Sequence, residues 1–320
     1  MNRRRLTVIG FVVLAIVVSV VVTRPTGTDG PCLRLGFLDI TASAPLFIAE
    51  EQGLFDHFGV CVSKRQFASS NELMDALAAD GIDYVVEASA EPALALQLRV
   101  PSRFFITAAS TISPEQPFDA VLVRDTSSIH ELRDLEGRRI SVFPGTTAAT
   151  LLRDYLQSRG VDISAIEFVP TPPADQLASV ISGAVDATHV YEPEWTLGLL
   201  DPNLRQLHGT VYGEQLSPNP QGVSLMSTTA WSRDPQRARA LVAAFDSALV
   251  VMERDPERTR EYLGGHFALP EDAVSRMNLL FMSPSTGIAW ASVEAYAQLL
   301  VDLGELDDLP DIQGLRVPSL

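Results

Sequence analysis

The sequence is poor in positive charge. Of its 320 residues, 24 are lysine or arginine and 40 are aspartate or glutamate, which gives a formal net charge of −16 at pH 7. This balance excludes nucleic acid as a partner, because neutralising phosphates requires a basic surface. Hydrophobic residues make up 46% and charged residues 20% of the chain, which is typical of a globular protein. Its length suffices for two domains of ordinary size.

The motifs of common catalytic and metal sites are also missing. The chain has no Gly-x-Ser-x-Gly elbow, no Gly-x4-Gly-Lys phosphate loop, no His-Glu-x-x-His and no Gly-x-Gly-x-x-Gly. Its five histidines are scattered without metal-ligand spacing, at His57, His130, His189, His208 and His266. We therefore expect neither an enzyme of these classes nor a metal site or cofactor.

The N-terminus reads as a targeting segment. Three arginines at positions 3–5 precede the uncharged run Leu6 to Thr23, which Arg24 closes. We expect residues 1–24 to be a signal or signal-anchor segment and 25–32 a linker, with the rest of the chain across the membrane. The run reaches the lower length limit of a membrane span and no small-x-small site closes it, so an uncleaved anchor is favoured over a cleaved signal. Pro31 directly before Cys32 departs from the lipidation pattern.

A stretch from Asp134 to Pro193 reads as strand, helix, strand, helix, strand. Its first strand, Ile140 to Phe143, stops at Pro144-Gly145, and Thr146 and Thr147 then offer side-chain oxygens at the start of a helix. A helix amino end after a glycine turn has unpaired N–H donors and the positive end of the helix dipole. The pattern predicts a site for an anionic group there.

Short apolar strands alternate with helices of about ten residues elsewhere as well, which is typical of a layered α/β fold with parallel sheets. We place a first crossing between two lobes near residues 113–117 and the return crossing near 222–227. The expected domains are residues 33–117 for the first part of lobe 1, 118–223 for lobe 2, and 224–320 for the return to lobe 1 with C-terminal helices.

Two cysteines, Cys32 and Cys61, lie in the first two predicted strands. These strands are usually neighbours in a parallel sheet, and an exported chain meets an oxidising compartment. We therefore expect a disulfide between them, with two buried free thiols as the alternative.

Several segments resemble substrate-binding proteins of ABC importers for nitrate, sulfonates, taurine and thiamine precursors. The matching segments are Ala44–Phe55 (APLFIAEEQGLF), Asp134–Ile140 (DLEGRRI), Phe143–Thr146 (FPGT), Gly183–Ala187 (GAVDA) and Tyr191–Pro193 (YEP). Their order and spacing carry the resemblance, which extends from residue 33 to about residue 300. It implies a two-lobed type II periplasmic-binding-protein fold, with mostly parallel sheets flanked by helices.

The resemblance implies an extracytoplasmic solute-binding component of an ABC importer. Its partners would be a permease and an ATPase, its ligand a small organic anion or zwitterion, and its state a monomer that is not an enzyme. Two other functions stay open. One is a ligand-sensing domain that feeds a membrane receptor. The other is an enzyme on the same fold, of pyrimidine-synthase or chorismate-dehydratase type, although the Cys-rich motif of the pyrimidine-forming branch is missing.

Ligands of open α/β sheets bind beyond the carboxyl ends of strands, and the facing ends of two lobes form one cleft. Four loops follow such strand ends in this sequence. The candidate ligand-binding residues on them are Asp39, Thr41, Ser43, Glu87, Ser89, Gly145, Thr146, Thr147, His189, Tyr191 and Glu192. Helix capping by the threonines, solvation of the serines and a core or rim position for the histidine are the alternatives.

Glu192 bears on the kind of ligand. A carboxylate in the cleft would repel an anion unless the ligand also carries an amine, so it predicts a zwitterion or an amino-heterocycle, with Tyr191 as an aromatic wall. The alternative is a glutamate that pairs with an arginine of the other lobe or caps the next helix.

Overall fold

The structure is a computed structural model that describes residues 31–144 and 146–318. Two sheets are formed by eleven strands of these residues. The first sheet contains β1 (Leu33–Phe37), β2 (Val62–Gln66), β3 (Tyr84–Ser89), β4 (Phe104–Ile112), β10 (Asn219–Ser227) and β11 (Phe281–Pro284). The second contains β5 (Asp119–Arg124), β6 (Arg139–Val142), β7 (Glu167–Pro170), β8 (Ala187–Tyr191) and β9 (Leu204–Gly209).

Helices cover both sheets. They are α1 (Ala44–Glu51), α2 (Leu54–His57), α3 (Ser70–Ala78), α4 (Ala90–Arg99), α5 (Thr146–Ser158), α6 (Pro173–Ile181), α7 (Glu194–Leu200), α8 (Val211–Gln215), α9 (Thr228–Arg233), α10 (Pro235–Arg254), α11 (Pro256–His266), α12 (Glu271–Arg276) and α13 (Trp290–Asp302). The longest of them, α10, begins as its sequence predicts. Asp234 accepts a hydrogen bond from the Arg237 backbone N–H, and Pro235 fills the first helical position.

The strand order is β11-β4-β10-β3-β1-β2 in the first sheet and β7-β6-β8-β5-β9 in the second. This confirms the expected α/β architecture with two sheets, but the expectation of mostly parallel sheets is wrong. Only β1 with β2 and β3, and β6 with β7 and β8, pair in parallel among the described strands. The other pairings are antiparallel. In four of them β5 or β10, the first strands after each crossing, runs against the strands beside it, and the fifth joins the edge strand β11 to β4.

The chain crosses between the sheets twice, through residues 113–118 and through residues 210–218. The expected return crossing near residues 222–227 is wrong, because those residues already belong to β10 of the first sheet. One large apolar cluster contains buried residues of both sheets, including Val85 of β3 and Val121 of β5. A second cluster packs α1 and α10 on the first sheet, where the Tyr84 and Phe245 rings stack with centroids 4.7 Å apart. The shared cluster fixes how the strand ends of the two sheets face each other.

A disulfide joins Cys32 and Cys61, which stand just before β1 and β2 and have Cα atoms 4.6 Å apart. It ties the start of β1 to that of its parallel neighbour. The expected signal or anchor at residues 1–24 lies outside the described residues, as does most of the linker. Within the residues that are described, no helix is both long and apolar enough to cross a bilayer.

Candidate ligand site between the two sheets

The loops after β1 and β8 meet between the sheets. Thr41 stands in a 3-10 turn after β1, and its hydroxyl donates a hydrogen bond of 3.3 Å to the backbone oxygen of Glu192, which follows β8. The Glu192 N–H in turn donates to the oxygen of Phe118 in the first crossing, at 3.1 Å. Two of the four predicted loops are therefore in direct contact.

The amino end of α5 faces two carboxylates from the first-sheet side. The Thr147 hydroxyl lies 3.5 Å from Oε2 of Glu305, which follows α13. It is also a hydrogen-bonding partner of Glu91 in the first turn of α4. Gly145 lies outside the described residues, and Thr146 is the first residue of α5. The structure thus brings one predicted residue, Thr147, together with two glutamates that the sequence did not single out.

Burial raises the pKa of the Glu91 carboxyl, the Thr147 hydrogen bond opposes this effect, and the negative charge of Glu305 adds to it. The two glutamates are thus close enough to influence each other electrostatically. Neither glutamate is among the candidate residues of the sequence. No local pattern marks Glu305, which lies more than two hundred residues away along the chain.

Tyrosine side chains form the rest of this region. Tyr191, at the end of β8, has the Tyr212 hydroxyl and the Gln221 amide as hydrogen-bonding partners. Its ring packs edge-on against Phe143 at the end of the β6 loop, with centroids 6.2 Å apart. Tyr296 of α13 adds a third phenol, and burial raises the pKa of all three tyrosines. They are therefore neutral donors and acceptors at physiological pH.

The carboxylate of Glu192 is hydrogen-bonded to other protein groups. Its Oε1 accepts hydrogen bonds of 3.0 Å from the Thr196 hydroxyl and from Asn278 Nδ2, and a third of 3.1 Å from the Asn278 N–H. Its Oε2 accepts from the Thr196 N–H at 3.1 Å. Burial raises the pKa of this carboxyl, and the four hydrogen bonds oppose that shift. Glu192 therefore has the alternative role stated above, that of a glutamate that caps the next helix. Its bonds to Asn278 also link it to the loop before β11.

Glu87 is buried within the first sheet. Its Oε1 accepts a hydrogen bond of 2.6 Å from the Ser110 hydroxyl, and Oε2 has no partner among the described residues. Gly222 of β10 lies so close that an added Cβ would overlap this carboxylate. Burial raises the pKa of Glu87 to about 8, against the effect of the Ser110 hydrogen bond. The side chain is therefore held as a neutral acid at pH 7.

The remaining candidates on the first sheet are dispersed. Asp39 pairs with His266 at 2.9 Å, where the imidazole stacks on the Phe47 ring with centroids 4.2 Å apart. Ser43 is fully buried, and its hydroxyl has no partner in the described part of the chain. Ser89 is exposed, and its N–H and hydroxyl both contact the Ser70 hydroxyl, at 3.1 and 3.4 Å.

His189 is paired inside the second sheet. Its Nε2 lies 2.9 Å from Oδ2 of Asp119 on the neighbouring strand β5, and both side chains are fully buried. The imidazole packs against the Tyr212 and Tyr191 rings, with centroid separations of 5.0 and 5.4 Å. His189 is therefore a core histidine, which was the alternative to a ligand-binding role. Its ring supports the aromatic wall formed by Tyr191. In the described residues, no group of histidine, cysteine and carboxylate side chains could hold a metal.

Comparison with known proteins identifies the family. A profile described as the NMT1-like family matches residues 27–263. The chain belongs to the NMT1-like family. Among curated relatives of this NMT1-like chain, the nitrate/nitrite binding protein NrtA of Synechococcus elongatus is 26% identical over an alignment that covers 74% of the chain. The chain spans only 59% of the length of that relative.

Solved structures show the same fold. The periplasmic aliphatic sulphonate binding protein SsuA of Escherichia coli superposes with a TM-score of 0.73 at 20% identity, and covers 91% of this chain and 93% of its own. The alkanesulfonate-binding protein SsuA of Xanthomonas axonopodis pv. citri, solved with bound MOPS, has a TM-score of 0.71 at 22% identity, over 90% and 99% of the two chains. The fold of this NMT1-like chain is thus that of periplasmic binding proteins.

Proposed function

We propose that this chain is the extracytoplasmic solute-binding component of an ABC importer, which holds a small organic anion or zwitterion between its two lobes. The observation that carries the proposal is the convergence of strand and helix ends from both sheets. The Thr41 hydroxyl after β1 donates a hydrogen bond to the Glu192 oxygen after β8, and the Thr147 hydroxyl of α5 lies 3.5 Å from Glu305, which follows α13. A ligand there touches both lobes, so binding favours the closed state.

The relatives support the class of function. The proteins compared above are named as binding proteins for nitrate and nitrite or for sulfonates. Partners follow from the class: a permease and an ATPase that this chain does not encode, with a monomeric binding protein. We propose that residues 1–24 tether the chain to the membrane, and that lobe 2 runs from residue 118 to the second crossing, between the two parts of lobe 1.

The site residues belong to the same proposal. We propose that Thr146 and Thr147 bind the ligand at the amino end of α5 and that Tyr191 provides the aromatic wall. The other expected residues, Gly145, Thr41, Asp39, Ser43, Ser89, Glu87 and His189, stay part of the proposal. Glu192 supports the loop after β8 through its bonds to Thr196 and Asn278, so its contribution to binding is to hold Tyr191 in place.

A thermal-shift panel on the full chain, purified in a mild detergent, tests the function. The panel contains nitrate, taurine, alkanesulfonates, aminopyrimidines and small aromatic acids. A ligand at a hundred times its dissociation constant adds about 2.7 kcal/mol of stability, which raises Tm by a few degrees. We expect at least one such hit. A folded protein that shifts with no member of the panel would contradict the proposal.

A further inference from the structure

The short helix α8 lies within the second crossing between the sheets and packs against the first crossing. Its residue Gly213 is so close to Ser113 that an added Cβ would lie 2.8 Å from two backbone atoms of Ser113. Just before α8, the Thr210 N–H donates a hydrogen bond of 2.7 Å to the oxygen of Asp119, the first residue of β5. The helix is therefore in contact with the chain at both places where it passes between the lobes.

The same helix is joined to α5 by hydrogen bonds along its length. The Tyr212 hydroxyl donates to the oxygen of Ala148, in the first turn of α5, at 3.2 Å. Further bonds run from Tyr155 and Arg159 to Glu214, at 2.7 and 2.6 Å, and from Gln215 to Leu151 and Asp154, at 3.2 and 2.6 Å. The two helices therefore form one unit of the second lobe, and the position of the α5 amino end depends on α8.

Tyr212 also supports the aromatic wall. The centroid of its ring lies 6.0 Å from that of Tyr191 and 5.0 Å from that of the His189 imidazole. The side chain is fully buried, and its backbone oxygen accepts a hydrogen bond of 3.1 Å from the buried Asn219 amide at the start of β10. One residue of the second crossing thus contacts the amino end of α5, the ring of Tyr191 and the strand that returns to the first sheet.

We propose that Tyr212 is a positioning residue of the ligand site, which holds the amino end of α5 and Tyr191 in place and ties both to the crossing between the lobes. The proposal rests on the solute-binding function above and adds the residue that couples its site to lobe movement. Close-packed atoms transmit displacements, and Gly213 leaves no space beside Ser113. A change of lobe orientation at the crossings therefore displaces α8, and Tyr212 carries that displacement to the site.

Removal of the Tyr212 hydroxyl tests the positioning. Titration calorimetry on the full chain, with nitrate, taurine and ethanesulfonate as probes, compares the wild type with Tyr212→Phe. We expect the variant to bind each probe that the wild type binds about fivefold more weakly, because one hydrogen bond to the first turn of α5 is lost. The matched control is Tyr84→Phe, which removes a buried phenol hydroxyl that shares a hydrogen bond of 3.0 Å with Thr107 in the first sheet. It should lower Tm by a similar amount and keep the wild-type affinity.

A methyl group at position 213 tests the link to the crossing. Gly213→Ala forces α8 away from Ser113 and should weaken binding of the same probes about tenfold, as overpacking of this kind implies. Gly265→Ala adds the same methyl group to α11 in open space and should bind like the wild type. A folded baseline in each thermal melt checks that the variant is native, and Tyr212→Phe decides alone if Gly213→Ala does not fold.

Hydrogen exchange in the free protein provides a measurement that needs no ligand. We expect amides in the first two turns of α5 to exchange about fivefold faster in Tyr212→Phe than in the wild type, because the bond to Ala148 no longer restrains them. The same amides should exchange at the wild-type rate in Tyr84→Phe.

The outcomes separate the two proposals. Wild-type affinity of Tyr212→Phe, or an affinity loss that Tyr84→Phe shares, would overturn the positioning role and leave the solute-binding function standing. Wild-type affinity of a folded Gly213→Ala would overturn the link to the crossing. Unchanged exchange in α5 would overturn the positioning role even if none of the three probes binds. A wild type that binds no member of the thermal-shift panel would contradict the solute-binding function, whereas faster exchange in α5 would still support the role of Tyr212.

Discussion

The carboxylate of Glu192 accepts a hydrogen bond of 3.1 Å from the backbone N–H of Asn278. Glu192 follows β8 of the second sheet, and Asn278 precedes β11 of the first. The same carboxylate caps α7 through the Thr196 N–H at 3.1 Å. One buried side chain, 4% exposed, therefore fixes the loop that carries Tyr191 and joins it to the other half of the molecule.

Replacing Glu192 tests this role. We expect Glu192→Ala to lower the free energy of unfolding by about 3 kcal/mol, because it leaves donors of Thr196 and Asn278 buried without acceptors. Glu192→Gln keeps one acceptor oxygen and should cost about 1 kcal/mol. Urea denaturation measures both, and Glu253→Gln is the matched exposed control, with an expected change within about 0.5 kcal/mol. Equal stabilities of the alanine variant and the wild type would refute the structural role.

Glu87 makes stability depend on pH. In the unfolded chain its carboxyl has the ordinary pKa of 4.5, whereas burial raises the folded-state pKa to about 8. Between these values the folded state binds the extra proton, so stability falls as pH rises, by about 1.4 kcal/mol per pH unit from this group. Below pH 4.5 the effect is absent, and above pH 8 it is complete.

The matching variant is Glu87→Gln, which stays neutral at every pH. We expect the difference in unfolding free energy, variant minus wild type, to grow between pH 5 and pH 8 as the wild type loses stability. Urea titrations at three pH values measure it, and the comparison cancels the effect of all other titrating groups. A difference that is independent of pH would mean that Glu87 is ionised in the folded protein.

The disulfide closes a loop of moderate length. Cys32 and Cys61 are separated by 29 positions, and loop-closure entropy for this length corresponds to about 3 to 4 kcal/mol of stability. We expect the double variant Cys32→Ser, Cys61→Ser to lose about that amount in chemical denaturation. Thiol labelling in denaturant is the direct check: the wild type should label only after reduction, and equal labelling with and without reductant would disprove the bridge.

Local sequence signals predicted the elements that line the site but not the contacts between them. Pro144 and the two threonines after Gly145 indicate where α5 begins, because turn and capping residues act within a few positions. The α/β architecture follows in the same way from alternating strands and helices. The mixture of parallel and antiparallel strands cannot be predicted from these local signals. It depends on which strands become neighbours after the chain has crossed between lobes.

The contacts at the site involve residues far apart along the chain. Thr147 contacts Glu305, which lies 158 positions later in the chain. The residues beside either one carry no local signal that predicts this contact. Glu192 shows both cases. Thr196 stands four positions later, so the sequence could predict helix capping by Glu192. Its bonds to the distant Asn278 could not be predicted from the sequence.

A crystal structure with the tightest-binding ligand of the thermal-shift panel tests the central claim most directly. We expect density for the ligand between the two sheets, with ligand atoms within hydrogen-bonding distance of the Thr147 hydroxyl at the amino end of α5 and in contact with the Tyr191 ring at the end of β8. Ligand density on the outer surface of either lobe, with the region between the sheets left to protein side chains, would contradict the account.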